Sequence, residues 1–204
     1  MPPAFDFSSS ENLKSVTVLY PAPRRFQDGG GTSIGYSSDV IFPLRIVAND
    51  ASRPVTLRMK LGYAVCEKLC VPAKAEVELN VTGAKTAFDA AIAFAEAKVP
   101  KGAQVGDSAA LAIRTVRREA GPAKPRIVVD IAAPPGLAVD LFAEGPNPDW
   151  ALPLPEPLPG APAGIHRFAF ELDGLPPGVK PDGAALRLTG VAGTAAVEAA
   201  FRLD

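Results

Sequence analysis

The sequence has little of several residue types on which common enzyme classes depend. Its 204 residues include one histidine, two cysteines and one tryptophan. A serine hydrolase needs a histidine beside its nucleophile, and the chain contains no Gly-x-Ser-x-Gly run, so the sequence gives no support to that class. We therefore interpret the single histidine, His166, as an ordinary strand residue.

An excess of charge and a long apolar run are also missing. The 21 basic and 22 acidic residues give a net charge of −1. This balance lacks the electrostatic footprint of a protein that binds nucleic acid or a membrane surface. No apolar run approaches the roughly 20 residues that a spanning helix needs. We expect no nucleic-acid partner and no membrane span in this chain.

Turn-forming residues are abundant, with 22 prolines and 18 glycines. This composition favours an all-β chain, and the length suffices for two domains of about 100 residues each. Alternating apolar and polar residues predict strands in both halves at the spacing of sandwich folds. The fold predicted is two immunoglobulin-like β-sandwich domains joined by a short helix. The predicted strands cover 15–20, 39–47, 55–63, 75–81, 111–116, 126–131, 138–142, 166–172, 185–189 and 196–201.

Two other segments complete the predicted organisation. Thr86 and Asp89 resemble a capping box, and a helical face follows that ends at Pro100 and comprises Phe88, Ile92, Ala95 and Val99. The predicted domains are 1–83 and 105–204, with a connector helix within 84–104. Alternating prolines in 145–159 predict an extended loop that covers the edge of the second sandwich with Trp150 and its leucines.

The only two cysteines, Cys66 and Cys70, lie four residues apart. On an extended strand their Cα atoms would be about 13 Å apart, whereas a disulfide needs roughly 4.4 to 6.8 Å. A bond between them therefore requires a turn, and the alternating segments 55–63 and 75–81 on either side predict a β-hairpin. We expect the cysteines at the tip of this hairpin, with Pro72 fixing the exit.

Three interpretations of the pair remain open from the residues alone. A structural disulfide here would close a five-residue loop, which removes only about 2 kcal/mol of unfolded-chain entropy. Two thiolates could hold Cu(I) or half of a zinc site, but no other cysteine exists and His166 is distant in sequence. A redox-active dithiol would cycle between disulfide and thiols by exchange with a partner.

The sequence around the pair carries a resemblance to a known family. The run Tyr-Ala-Val-Cys-Glu-Lys-Leu-Cys-Val-Pro-Ala at 63–73 resembles the redox motif in the N-terminal periplasmic domain of DsbD-type thiol:disulfide interchange proteins, in particular the ScsB-like branch. Segments 3–8, 12–13, 20–23, 34–36 and 39–44 match that branch in the same order. The resemblance covers residues 1 to about 82.

The resemblance implies a function as a periplasmic thiol-disulfide exchange protein, a thiol:disulfide oxidoreductase with no cofactor other than its redox-active disulfide. Cys70 would form the mixed disulfide with a thioredoxin-fold periplasmic partner, and Cys66 would resolve it. A membrane-embedded reductase would be the electron donor. The alternative is a non-catalytic binding or assembly module with a permanent disulfide, which could be related to copper tolerance.

The same resemblance names residues for docking and shielding. Segment 24–33 is predicted to be a flexible surface loop in the place of the family's cap, with Phe26, Asp28, Gly29 and Gly30 as its candidates. Its glycine run is not followed by Gly-Lys-Ser/Thr and so is not a phosphate loop. Tyr36, Tyr63 and Lys68 are the other candidates for a docking surface.

No export signal is visible at the start of the sequence, since the first seven residues lack a basic and an apolar region. Taken alone, this favours the cytosol. Members of the family that it resembles carry a further segment and an export signal upstream. We therefore expect that the chain begins inside its first domain, that apolar surface is exposed near Phe5 and Phe7, and that the protein is periplasmic.

Overall fold

The computed structural model describes residues 3–28, 31–66, 69–121 and 123–204. It divides into two compact units, Met1–Ala97 and Lys98–Asp204. Both units consist mainly of antiparallel strands in several sheets, and a single short helix accompanies them in the described residues. The predicted all-β, immunoglobulin-like sandwich fold is confirmed.

The first unit contains three sheets and the helix. β1 pairs with β6 and β6 with β7 in one three-stranded sheet, while β2 pairs with β5 and β3 with β4. All of these pairs are antiparallel. The bounds are β1 Ala4–Asp6, β2 Leu13–Val18, β3 Arg24–Asp28, β4 Gly31–Gly35, β5 Leu44–Ala48, β6 Val55–Cys66, β7 Cys70–Val81 and α1 Asp89–Glu96.

The long hairpin β6–β7 is the feature that positions the cysteines. Its ladder runs without a register shift from the pair Val55–Val81 to the pair Cys66–Cys70. Because side chains alternate between the two faces of a strand, the odd-numbered residues of both strands form one apolar face. At the base of the hairpin that face is buried on β6, where Val55 and Leu57 are only 3% and 5% exposed, whereas Leu79 of β7, opposite Leu57, is 56% exposed.

Two segments of the first unit differ from their predicted structure. Segment 24–33 was predicted to be a flexible loop, but its described residues belong to the antiparallel strands β3 and β4, between which the Gln27 side-chain amide donates a 2.9 Å hydrogen bond to the Thr32 hydroxyl. The predicted strand 39–47 is paired only over Leu44–Ala48. Strand β5 begins after Pro43, because proline has no N–H with which to extend the ladder further. The Pro43 carbonyl still accepts a hydrogen bond from the Leu19 amide.

Thr86 and Asp89 contact each other as the capping pattern predicts, but helix α1 begins only at Asp89, and its N-cap residue, Phe88, forms no side-chain capping hydrogen bond. The Thr86 backbone N–H and hydroxyl donate to the Asp89 carboxylate at 3.0 and 2.9 Å. The predicted apolar face is only partly buried: Ala95 is 3% exposed, but Ile92 is 43% and Phe88 72% exposed. Phe88 precedes the first helical residue, so the prediction that it lies on a packed helical face was wrong.

The second unit is formed by two four-stranded sheets. Their orders are β12-β13-β10-β9 and β11-β14-β15-β8, and only β8 with β15 is parallel. All six strands predicted in this half are present. The bounds are β8 Lys101–Gly102, β9 Ala112–Glu119, β10 Arg126–Ala132, β11 Val139–Glu144, β12 Glu156–Pro157, β13 Ile165–Glu171, β14 Ala185–Ala192 and β15 Ala195–Arg202.

The core of the second unit contains side chains from both sheets, including Ile127 and Ile131 of β10 and Leu188 of β14. Trp150, 8% exposed, and the fully buried Pro155 add to it from the proline-rich segment. Part of that segment, β12, pairs with the edge strand β13. The prediction that this segment covers the edge of the sandwich is confirmed.

Candidate functional site

Cys66 and Cys70 form a disulfide at the end of the β6–β7 hairpin. Their sulfur atoms are 2.06 Å apart and their Cα atoms 4.0 Å apart. The two residues are also direct partners in the strand ladder. The predicted bond at a hairpin tip is therefore confirmed.

The backbone pattern of β6 shows why a cross-strand disulfide fits at this pair. Thr56 exchanges backbone hydrogen bonds of 3.2 and 2.9 Å with Glu11, and the Arg58 amide donates to the Ser10 hydroxyl at 3.0 Å. Even-numbered residues of β6 thus direct their backbone groups away from β7. Because the ladder keeps its register to the tip, Cys66 and Cys70 form a non-hydrogen-bonded pair, in which facing side chains are closest.

The same alternation accounts for the proline inside β7. Pro72 faces Ala64, another even-numbered residue. Its nitrogen therefore points to the free edge of the strand, where a missing N–H costs no ladder hydrogen bond. The sequence can thus place a proline two residues from a cysteine without disturbing the hairpin.

The tip projects beyond the three-stranded sheet. β1 accompanies β6 only as far as Gly62, which pairs with Ala4. Among the described residues, the last pairs of the hairpin have no third strand beside them. Both cysteines are accordingly exposed, and so are their apolar neighbours Val65 (60%), Leu69 (80%) and Val71 (61%).

The disulfide lies on the polar face of the hairpin, formed by the even-numbered residues of β6 and β7, which we call the cysteine face. From the base outwards its cross-strand pairs are Thr56–Asn80, Arg58–Glu78, Lys60–Glu76, Gly62–Lys74, Ala64–Pro72 and Cys66–Cys70. Arg58 donates to Glu78 at 2.8 Å and to Glu11 at 2.7 Å. The side chains next to the disulfide are small, so none in the two adjacent pairs except Lys74 is large enough to obstruct the sulfurs.

The candidate docking residues lie in different places. Tyr63 is half-buried on the apolar face of the hairpin, opposite Ala73. Phe26, in β3, lies against Gly35, and Asp28 ends β3 opposite Gly31. Lys68, Gly29 and Gly30 lie outside the described residues.

Tyr36 belongs to an aromatic cluster of the first unit. Its hydroxyl donates a 2.8 Å hydrogen bond to the Pro21 carbonyl, and its ring meets Phe42 edge to face. Phe42 also contacts Phe5 and Tyr20. This packing explains Tyr36 without a role at the disulfide.

Two features of the tip were not predicted from the sequence. One is the exposed apolar group Val65, Leu69 and Val71, and the other is Lys74 on the cysteine face. The second had a signal in the sequence, because any even-numbered residue of a regular hairpin shares the face of Cys66 and Cys70. The first depends on how far the tip projects, which is a tertiary property.

The described residues lack two features that other protein classes have. None of the helices there has the length and apolarity to cross a membrane. Within the same ranges, no group of three or more histidine, cysteine or acidic side chains is placed to hold a metal ion.

Comparisons with known proteins agree with the geometry of the first unit. Residues 1–82 match the family model of the thiol:disulfide interchange protein DsbD, N-terminal. The resemblance to this family is confirmed. A search of curated proteins found no match.

The chain is also similar to a solved structure. The crystal structure of the N-terminal periplasmic domain of ScsB from Proteus mirabilis superimposes with a TM-score of 0.72. The match covers 100% of this chain and 77% of that chain at 15% sequence identity. At that identity the similarity establishes the fold and leaves the activity to be argued from the site.

Proposed function

We propose that this protein is a thiol-disulfide exchange protein that passes reducing equivalents between its Cys66–Cys70 pair and a thioredoxin-fold partner. The observation that carries the proposal is the exposed disulfide at the projecting tip of β6–β7, inside the segment that matches the DsbD N-terminal family. Exchange requires a thiolate to reach a sulfur, and an exposed disulfide permits that approach.

The chemistry follows from this geometry. A partner thiolate attacks one Sγ atom, the sulfur–sulfur bond breaks, and a mixed disulfide forms while the other cysteine leaves as a thiolate. The partner's second thiolate then attacks the mixed disulfide, which leaves the pair reduced and the partner oxidised. In the opposite direction, the reduced pair transfers its two electrons to a partner disulfide. The disulfide itself is the only redox group that either direction needs.

A purely structural role explains the position of the disulfide less well. The loop it closes is five residues long, so the bond is worth only about 2 kcal/mol in the chain-entropy model. The hairpin is already held by a continuous ladder from Val55 to Cys66. A disulfide with a structural purpose would stabilise the unit more if it closed a longer loop.

The compartment and electron source belong to the same proposal. The ScsB domain that matches the fold is periplasmic. We place this protein in the periplasm, with a membrane-embedded reductase as the donor to its disulfide. Compartment and donor are both testable by the redox state of the cysteine pair in cells with and without such a reductase.

The decisive experiment assigns a role to each cysteine. We expect Cys66→Ser to trap a covalent complex with an oxidised thioredoxin-fold protein, because Cys70 attacks and no second thiol resolves the mixed disulfide. Cys70→Ser should trap none. Non-reducing gels of each variant, mixed with oxidised thioredoxin-fold proteins of the same periplasm, make the comparison.

The outcomes separate the proposal from its alternatives. Equal trapping by both variants would remove the assignment of roles while keeping exchange. Trapping by neither, together with a reduction potential below about −300 mV, would identify a permanent disulfide in a binding or assembly module. An exchange-active pair should have a higher potential, close to that of its partners.

A further inference from the structure

On the cysteine face of the hairpin, one charged residue, Lys74, has no charged partner directly across the strand pair. Arg58 is paired with Glu78 and Glu11, and Lys60 lies between Asp6 of β1 and Glu76 of β7. Lys74 is different, because its cross-strand partner is Gly62, which has no side chain. Within the described residues, Lys74 forms no hydrogen bond or ion pair.

This free charge is also the nearest one to the disulfide among the described residues of that face. Between Lys74 and the cysteines lies only the neutral pair Ala64–Pro72. Lys74 is four residues from Cys70, about 13 Å along the strand, and its flexible four-carbon stem can span about half of that distance. Its ammonium group can thus approach the sulfurs to within the Debye length of about 10 Å at 0.1 M salt.

The acidic residues of the same face lie farther from the sulfurs. Glu76 is six residues from Cys70 and Asp6 is level with Lys60, so both are roughly 20 Å from the disulfide by the strand rise. Salt screens charges at that distance almost completely. In the sequence, Glu67 and Lys68 between the cysteines carry opposite charges that cancel formally.

We propose that Lys74 is a specificity-determining residue of the exchange site, which selects partners that carry a carboxylate beside their reactive cysteine. This inference rests on the proposed function, since it concerns the same disulfide. An attacking thiolate is already negative, and an acidic group next to it doubles the charge that Lys74 attracts. A partner with a basic group at that position is repelled as the sulfurs approach.

Small thiols of different charge test the electrostatic effect of Lys74 directly. We would measure the rate of reduction of the oxidised protein by anionic 2-mercaptoethanesulfonate, neutral 2-mercaptoethanol and cationic cysteamine, each at equal thiolate concentration and low ionic strength. The rate with the anionic thiol divided by the rate with the cationic thiol should be higher for the wild type than for Lys74→Glu. We expect the ratio of the two rates to fall by about threefold to tenfold in that variant.

Matched controls exclude a general effect of net charge. Lys14→Glu changes the net charge equally, on an exposed residue of β2 in a different sheet of the same unit, and should leave the ratio unchanged. Lys74→Arg should also keep the wild-type ratio. In about 1 M salt, where the Debye length is about 3 Å, all variants should converge. Circular dichroism checks that Lys74→Glu keeps its fold.

A pair of peptides extends the test to the chemistry of the partner. Each contains one cysteine, flanked by two aspartates in one peptide and two lysines in the other. The acidic peptide should react faster with the wild type, and the preference should be lost in Lys74→Glu. An unchanged ratio in Lys74→Glu, or the same change in Lys14→Glu, would overturn the inference. If the rates depend on charge as expected but no thioredoxin-fold protein exchanges with the pair, the proposed function fails. The electrostatic effect of Lys74 on the disulfide would still stand.

Discussion

At the scale of single residues, Asn12 holds the turn that leads into β6. It is the only described non-glycine residue with a positive φ, 58°. Its side-chain amide donates to the carbonyls of Asp50, Arg53 and Pro54 at 3.0 to 3.1 Å, and its Oδ1 accepts from the Asp50 amide at 2.8 Å. One asparagine therefore fixes the turn from which the cysteine hairpin starts.

Substitutions of Asn12 can separate the contribution of its side-chain hydrogen bonds from that of its backbone conformation. Asn12→Ala loses the hydrogen bonds and leaves an alanine, which tolerates the left-handed region less well than asparagine, so we expect a loss of about 2 kcal/mol in the free energy of unfolding. Asn12→Gly loses the same bonds without the backbone strain and should be about 1 kcal/mol less harmful. Urea unfolding, followed by the circular dichroism of tyrosine, measures both. Equal losses would show that the backbone conformation contributes nothing.

Asp130 has a comparable role in the second unit. Its carboxylate accepts from the Arg167 guanidinium at 2.6 and 2.8 Å and from Arg117 at 3.2 Å. The hydrogen bonds from Arg167 hold the pKa of this carboxyl below its usual range, against the opposing effect of burial and with further help from Arg117. The charged form of Asp130 therefore stabilises the folded state.

The sign of this shift gives a pH prediction. A lowered pKa means that the stabilisation is complete above the unfolded-state value of about 3.9 and is lost as the pH falls towards the folded-state value. Asp130→Asn should therefore cost about 2 kcal/mol at pH 7, and the difference from wild type should shrink below about pH 4. Trp150 fluorescence during urea unfolding measures this difference in stability at each pH. As a control, Asp182→Asn should have a smaller effect, because the Asp182 side chain is 62% exposed in its ion pair. A difference that stays constant down to pH 3 would contradict the assignment.

At the scale of elements, the β6–β7 hairpin carries its own stability. Its ladder is continuous over both strands, and its base is buried through Val55 and Leu57. The variant Cys66→Ser/Cys70→Ser should therefore remain folded, with a loss of no more than about 2 kcal/mol. Far-ultraviolet circular dichroism and urea unfolding test this, with the reduced wild type as the matched control. Loss of the fold in both would show that the disulfide is a structural requirement.

The hairpin also shows how much of the site the sequence could predict. Alternation over two long segments is a local signal, so the strands, the tip and the closeness of the two cysteines followed from it. The hairpin β3–β4 was missed because it is short and polar and carries a glycine run, which reads equally well as a loop. β8 and β12 have two residues each and exist only through their partners β15 and β13, so no local pattern reveals them.

Burial was the least predictable property, for a physical reason. Val65 and Val71 continue the apolar alternation of Val55 and Leu57 without a change in pattern. Yet Val55 and Leu57 are buried, whereas Val65 and Val71 are about 60% exposed. What covers a face of the hairpin is set by how distant segments pack against it, and no local pattern in β6 or β7 records that. Sequence alone therefore identified the cysteine pair but not the exposed surface that surrounds it.

At the scale of the whole molecule, the two units carry different chromophores. Trp150, the only tryptophan, is buried in the second unit, whereas Tyr20, Tyr36 and Tyr63, the only tyrosines, belong to the first. The disulfide also lies in the first unit, so its reduction should increase the unfolded-chain entropy of that unit alone. We expect a reducing agent to lower the urea midpoint seen by tyrosine circular dichroism and to leave the midpoint of tryptophan fluorescence unchanged. The variant Cys66→Ser/Cys70→Ser is the control, because neither of its midpoints should respond to the reducing agent. Equal shifts of both signals in the wild type would mean that the two units unfold as one cooperative body, and the redox state of the tip would then control the stability of the entire chain.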